Sequence, residues 1–167
     1  RVMAGPVSRL ESVLGLLAGS MGREHASSLH MARALSQSTL SDDSRAEVMT
    51  MHHLGLMAIA SEDPLRASFL FEKAAEQSSF SNKTRLTNLV AAGISRHLVG
   101  EDEVAKSLIS GASKIVAKDK ESAIDPLLDL ARSLMGIDRP WLALEVFDEA
   151  LECAVESGSN TEVERIT

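Results

Sequence analysis

The chain has 167 residues, 44% of them hydrophobic and 25% charged, a globular balance that excludes global disorder. Its formal charge of −7 and its 3% aromatic content leave it without the basic surface and stacking rings that nucleic acid or an anionic membrane would demand. Cys153 is the single cysteine, so no internal disulfide can form, and no apolar run reaches the roughly 18–20 residues of a membrane span.

In chain order, nearly every long segment repeats its apolar residues at helical steps, and none alternates over a strand length. Leu10, Val13, Leu14 and Leu17 mark a first helix over 6–21, closed by Gly22. A second is expected over 23–37, followed by a loop from Ser38 to Asp43. Ser44 with Glu47 has the spacing of a capping box and opens a helix over 44–61. Asp63-Pro64 reads as an N-cap followed by proline at the first helical position, where its missing N–H costs nothing, and starts 64–78. The fifth helix, 82–99, stops at Gly100, and Glu101, Asp102 and Glu103 place negative charge in the first turn of 101–118. After a loop from Lys118 to Ser122, Asp125-Pro126 repeats the cap signal and opens 125–136, with Gly136 at its end. Leu142, Val146 and Ala150 carry the last long helix, 139–157, before Gly158. Residues 160–167 read as a cap and the opening turns of a further or capping helix. The connections are short, so consecutive helices should pack antiparallel, giving one domain over 1–167 with hairpins at 6–37, 44–78, 82–118 and 125–157.

A repeat runs through these helices. Gly15, Gly55, Gly93 and Ala131 are 40, 38 and 38 residues apart. Twelve residues after each stand Ser27, Ala67, Ala105 and Ala143; sixteen after, Met31, Phe71, Ile109 and Phe147; nineteen after, Ala34, Ala74, Ala112 and Ala150. A small residue on the first helix lets the second approach, a large one fills the space between hairpins, and the last alanine receives the next hairpin. One such hairpin cannot bury its own apolar face, but a stack can.

Four copies in register over essentially the whole chain resemble tetratricopeptide repeats. The best matches are Leu54-Gly55…Ala67…Phe71…Ala74 and Ala143…Phe147…Ala150. The spacing exceeds the family's usual repeat of about 34 residues. The aromatic residues common on the family's first helix are replaced by Met51, Leu89 and Leu127. The resemblance implies an all-α solenoid, a superhelix of four antiparallel hairpins; a HEAT-like stack, with about 40–47 residues per repeat, is the structural alternative. It further implies a concave groove lined by the first helices, at positions six and three before and one and four after the Gly55-type residue. From the first hairpin these are Arg9, Ser12, Leu16 and Gly19; from the second, Met49, His52, Leu56 and Ile59. The third gives Thr87, Val90, Ile94 and His97, and the fourth Asp125, Leu128, Arg132 and Met135.

That set is mostly apolar, which suits a peptide or an amphipathic helix. The expected function is a protein-interaction module or assembly scaffold in the cytoplasm, with a ligand-sensing arm of a larger regulator as the alternative. No partnership with nucleic acid, no membrane insertion and no cofactor is expected. The fourth hairpin offers Leu142, Val146, Leu151 and Val155 for stacking, so homo-oligomers through the terminal hairpins are also expected. No enzymatic activity is expected, because no nucleophile, base and orienter are assembled. His25 with His30 and His52 with His53 lack metal-ligand spacing and read as partly solvated helix residues. Met31 and Met51 read as core, Met49 as groove, and Cys153 as a small buried residue.

Overall fold

A computed structural model describes residues 4–41, 43–116, 121–136 and 140–158. Among them the regular structure is eight α-helices: α1 (Ala4–Ser20), α2 (Glu24–Ser41), α3 (Ser44–Ala60), α4 (Pro64–Gln77), α5 (Asn82–Leu98), α6 (Asp102–Val116), α7 (Glu121–Gly136) and α8 (Pro140–Ser157). Each odd-numbered helix packs on the even one that follows, forming four hairpins in a helical-repeat solenoid. The expected continuation over 160–167 lies outside the described residues.

Three boundaries differ from the sequence reading. The expected loop from Ser38 is largely helix, because α2 runs on to Ser41. Hydroxyls that would unwind the chain fold back instead: Ser38 Oγ and Thr39 Oγ1 donate to the Leu35 carbonyl at 2.8 and 3.0 Å, and Ser41 Oγ to that of Ser38 at 2.9 Å. The cap of α3 is Asp43, not Ser44; its Oδ1 accepts the Ala46 N–H at 3.1 Å. Helix α7 begins at Glu121, so Asp125 is no cap and Pro126 lies inside the helix. The proline falls in the second turn, where its missing N–H removes one helical bond. Asp63 and Pro64 stand as read, with Asp63 Oδ1 accepting the Arg66 N–H at 3.1 Å.

The turn inside each of the first three hairpins is one repeated object. The backbone N–H of Arg23 bonds to the Ala18 carbonyl at 2.8 Å, that of Asp63 to Ala58 at 2.9 Å, and that of Glu101 to Arg96 at 3.0 Å. The residue before each donor takes a left-handed conformation: Gly22 at φ 70°, Glu62 at 59° and Gly100 at 80°. This is the Schellman closure, which favours glycine at that position. Its positions, 22, 62 and 100, keep the 40- and 38-residue register of the glycines.

The hairpins close as the repeat implies. A Cβ built on Gly55 would lie 2.6 Å from Phe71 Cε1, one on Gly93 2.6 Å from Ile109 Cδ1, and one on Gly15 2.9 Å from Met31 Cγ. Ser27, Ala67, Ala105 and Ala143 are buried, as are Ala34, Ala74, Ala112 and Ala150. Ser27 occupies an alanine position because its Oγ donates to the Gly15 carbonyl at 2.6 Å, pinning α2 to α1. Ser8 does the same to the Ala34 carbonyl at 2.7 Å.

The seams between hairpins are less uniform. Helix α3 packs on α1 and α2, α5 packs broadly on α4, and α7 rests on α5 with only a light touch on α6. Across the second seam Arg96 Nε donates to Glu72 Oε1 at 2.7 Å while its Nη1 donates to Glu101 Oε2 at 2.5 Å, tying α4, α5 and the start of α6 together. One apolar core runs from Leu56 and Phe71 through Leu86 and Leu127 to Ala154, with Cys153 buried inside it. No described helix is long and apolar enough to cross a membrane.

Candidate peptide-binding groove

A cleft of about 470 Å³ crosses the first helices of all four hairpins. The four residues six positions before the Gly55-type residue, Arg9, Met49, Thr87 and Asp125, all line it. They are exposed or half-buried because the N-terminal halves of α1, α3, α5 and α7 carry them toward one another. Val48, Met49, Phe80 and Pro126 give the cleft an apolar middle.

Of the other expected groove residues, only His52 joins them. Leu56, Ile59 and Leu128 are buried in the core and cannot form an exposed patch. Ser12 is buried too, with its Oγ 2.6 Å from His53 Nδ1. Leu16 and Gly19 are half-buried on α1. Val90 and Ile94 border an interior gap of about 150 Å³ between the third and fourth hairpins. Ile94 and His97 also line a second cleft of about 540 Å³ formed by α5, α6 and Glu145 of α8. Arg132 and Met135 are exposed on α7, where Arg132 pairs with Asp129 at 2.9 Å. One row of the register lines the groove in full, and of the other rows Leu56, Ile59 and Leu128 turn into the core.

Charge is divided along the cleft. Arg9, Arg45 and Lys83 come from α1, α3 and α5, while Asp125 and Asp129 come from α7. Arg9 bonds Asp43 at 3.0 Å. The Asp43 carboxyl is held below its ordinary value, first by the Ala46 N–H and then by that guanidinium, against the opposing effect of burial. The Arg45 guanidinium lies 5.5 Å from the centre of the Phe80 ring, a cation–π contact that fixes the rim. Arg45, Lys83 and Phe80 were not among the residues read from the sequence. Their signal was present in part: Arg45 and Lys83 stand 38 residues apart, in the register of the repeat.

The adjacent histidines are half-buried, as read, and each is also held by a neighbouring hairpin. They diverge by one helical step, so His53 reaches α1 and His52 reaches α5. Asn88 Nδ2 donates to the Thr84 carbonyl at 2.9 Å, which turns its Oδ1 to accept from His52 Nδ1–H at 3.0 Å. The His52 ring also packs on Phe71, centroids 5.4 Å apart. Burial pushes both imidazoles down, His53 to about 4 with a further contribution from His52 beside it. Both are neutral near neutral pH, and His52 gives the apolar middle a polar floor. Among the described residues, no three histidines, cysteines or carboxylates come together as a metal site.

No protein-family model matches the chain, and no curated protein matches it.

Proposed function

We propose that the chain is a protein-interaction module of the tetratricopeptide type that holds a peptide across its four first helices. The observation that carries this reading is the single register row, Arg9, Met49, Thr87 and Asp125, that lines one cleft. A continuous surface built from every repeat is how a solenoid presents an extended partner. The division of charge specifies the partner further. Its acidic residues lie over Arg45 and Lys83, its basic residue lies over Asp125 and Asp129, and an apolar side chain enters between Met49, Phe80 and Pro126. With cations at one end of the cleft and carboxylates at the other, the partner is an internal amphipathic segment and not a free acidic tail.

The test is selection of peptides from a random library on the immobilised chain, followed by titration against Arg45→Glu/Lys83→Glu. Both residues are exposed, so the double variant should keep its melting temperature. Selected peptides should carry acidic and basic residues at opposite ends and lose at least about tenfold in affinity, because near-surface charge reversal acts on complementarity. Peptides that bind the charge-reversed variant equally well would place the interface elsewhere.

A further inference from the structure

We propose that copies of this chain associate head to tail, with the outer face of α1 in one copy packing on the outer face of α8 in the next. Helix α1 has two packing faces. Its inner face buries Ser8, Ser12, Gly15 and Ala18, while Val7, Leu10, Leu14 and Leu17, with Met21 just past its end, form an exposed stripe on the opposite side. The steps along that stripe are three, four, three and four residues, the seam of a helix that packs on another helix. A contiguous exposed apolar stripe of this kind marks a contact surface.

At the other end, α8 carries the same steps. Trp141, Leu144 and Val155 are exposed and Leu151 is half-buried, with Asp148 the one polar residue in the row. The two stripes run from residue 7 to 21 and from 141 to 155, equal lengths of about 21 Å at helical rise. The sequence reading had assigned Leu142 and Val146 to this outer face; both are buried against α7 and its neighbours, and the stacking face is the stripe through Leu144.

Charge selects which faces meet. Helix α8 has five carboxylates and no lysine or arginine, whereas α1 has one charge of each sign, Arg9 and Glu11, each paired within the chain. Two α8 faces therefore repel, and α8 against α1 does not. The pairing also continues the internal one, in which the second helix of a hairpin meets the first helix of the next, as α4 meets α5. Such a contact joins two different surfaces, so it does not close on itself and the assembly grows with concentration. This surface is separate from the peptide cleft, and either reading stands without the other.

Sedimentation velocity of the full 167-residue chain across a wide concentration range tests this, with Leu14→Glu and Leu144→Glu as variants. The unaltered chain should pass beyond dimer. Each variant alone should be monomeric, because each loses one of the two faces. Mixed in equal amounts, they should form a dimer that grows no further, using the α8 face of one and the α1 face of the other. If either variant does not fold, Leu10→Glu and Val155→Glu, both at exposed positions, take its place. A chain that stays monomeric at the highest concentration, a single variant that still dimerises, or a mixture that does not, would each overturn the proposal.

Discussion

At Gly55 the atoms of Phe71 leave no room for a methyl group. The ring is fully buried and rigid, and its Cε1 and Cζ would both lie within 2.7 Å of a new Cβ. At Gly93 the space looks as tight, since Ile109 Cδ1 would be 2.6 Å away, but that atom is the end of a flexible side chain that is 38% exposed and can swing outward. Alanine also gains about 1 kcal/mol over glycine inside a helix. Gly55→Ala should therefore lower stability by about 1–3 kcal/mol through overpacking, while Gly93→Ala should stay within about 1 kcal/mol of the parent. Urea unfolding of both variants decides this; equal losses would show that Ile109 is as fixed as Phe71. Gly93→Leu is larger and also approaches the Ala105 carbonyl, so it should fall with the destabilising set. At this scale the sequence was informative. The small, small, large, alanine row is a direct record of how closely two helix axes approach; its small residues and alanines are buried where the register put them, whereas of the large ones Ile109 is exposed.

Helices α1, α3 and α5 are joined by polar side chains as well as by packing. His53 bonds Ser12 on α1, and His52 bonds Asn88 on α5. Both imidazoles titrate below their ordinary value in the folded chain because burial disfavours the cation. Well above about pH 6.5 they are neutral folded or unfolded, and stability does not depend on them. As pH falls from there toward the folded value of about 4 at His53, the unfolded chain takes up protons that the folded chain refuses. Stability should drop over that window, by on the order of 2 kcal/mol at about pH 5 from His53 alone, and level off below it. Urea midpoints at the two pH values measure the loss, and His53→Gln should flatten the slope. An unchanged slope in that variant would assign the acid sensitivity to another group. Both histidines read as partly solvated and are half-buried; their bonding partners were not legible, because residue type and helical phase are visible in a sequence whereas the closeness of a flanking hairpin is not. The same blindness put Leu56, Ile59 and Leu128 on the surface. Their phase was correct, and the way the hairpins stack decided that they face a neighbour and not water.

The stack is unevenly joined along its length. The seam between the second and third hairpins has broad α4–α5 packing and the Glu72–Arg96–Glu101 link. The seam between the third and fourth rests on α5 with α7, leaving the gap of about 150 Å³ beside Val90 and Val146. In a linear array each hairpin is held only by its neighbours, so the weakest seam sets the first opening. Amides of α7 and α8 should exchange together, at lower denaturant than those of α3, α4 and α5. Uniform exchange across all eight helices would mean that the last seam is as strong as the others. The sequence could not forecast this difference, since the fourth copy keeps the motif as faithfully as the second.

One feature of the last helix gives the molecule its own optical probe. The chain has no tyrosine and a single tryptophan, and Trp141 is 53% exposed on the outer face of α8. Its intrinsic emission therefore reports on that face and on nothing else in the protein. A peptide in the groove, bounded by α1, α3, α5 and α7, should leave the spectrum unmoved, while anything that covers the end of the stack removes water from the indole and shifts its emission to the blue. A single cuvette, without a label, separates occupancy of the groove from burial of the outer face of α8.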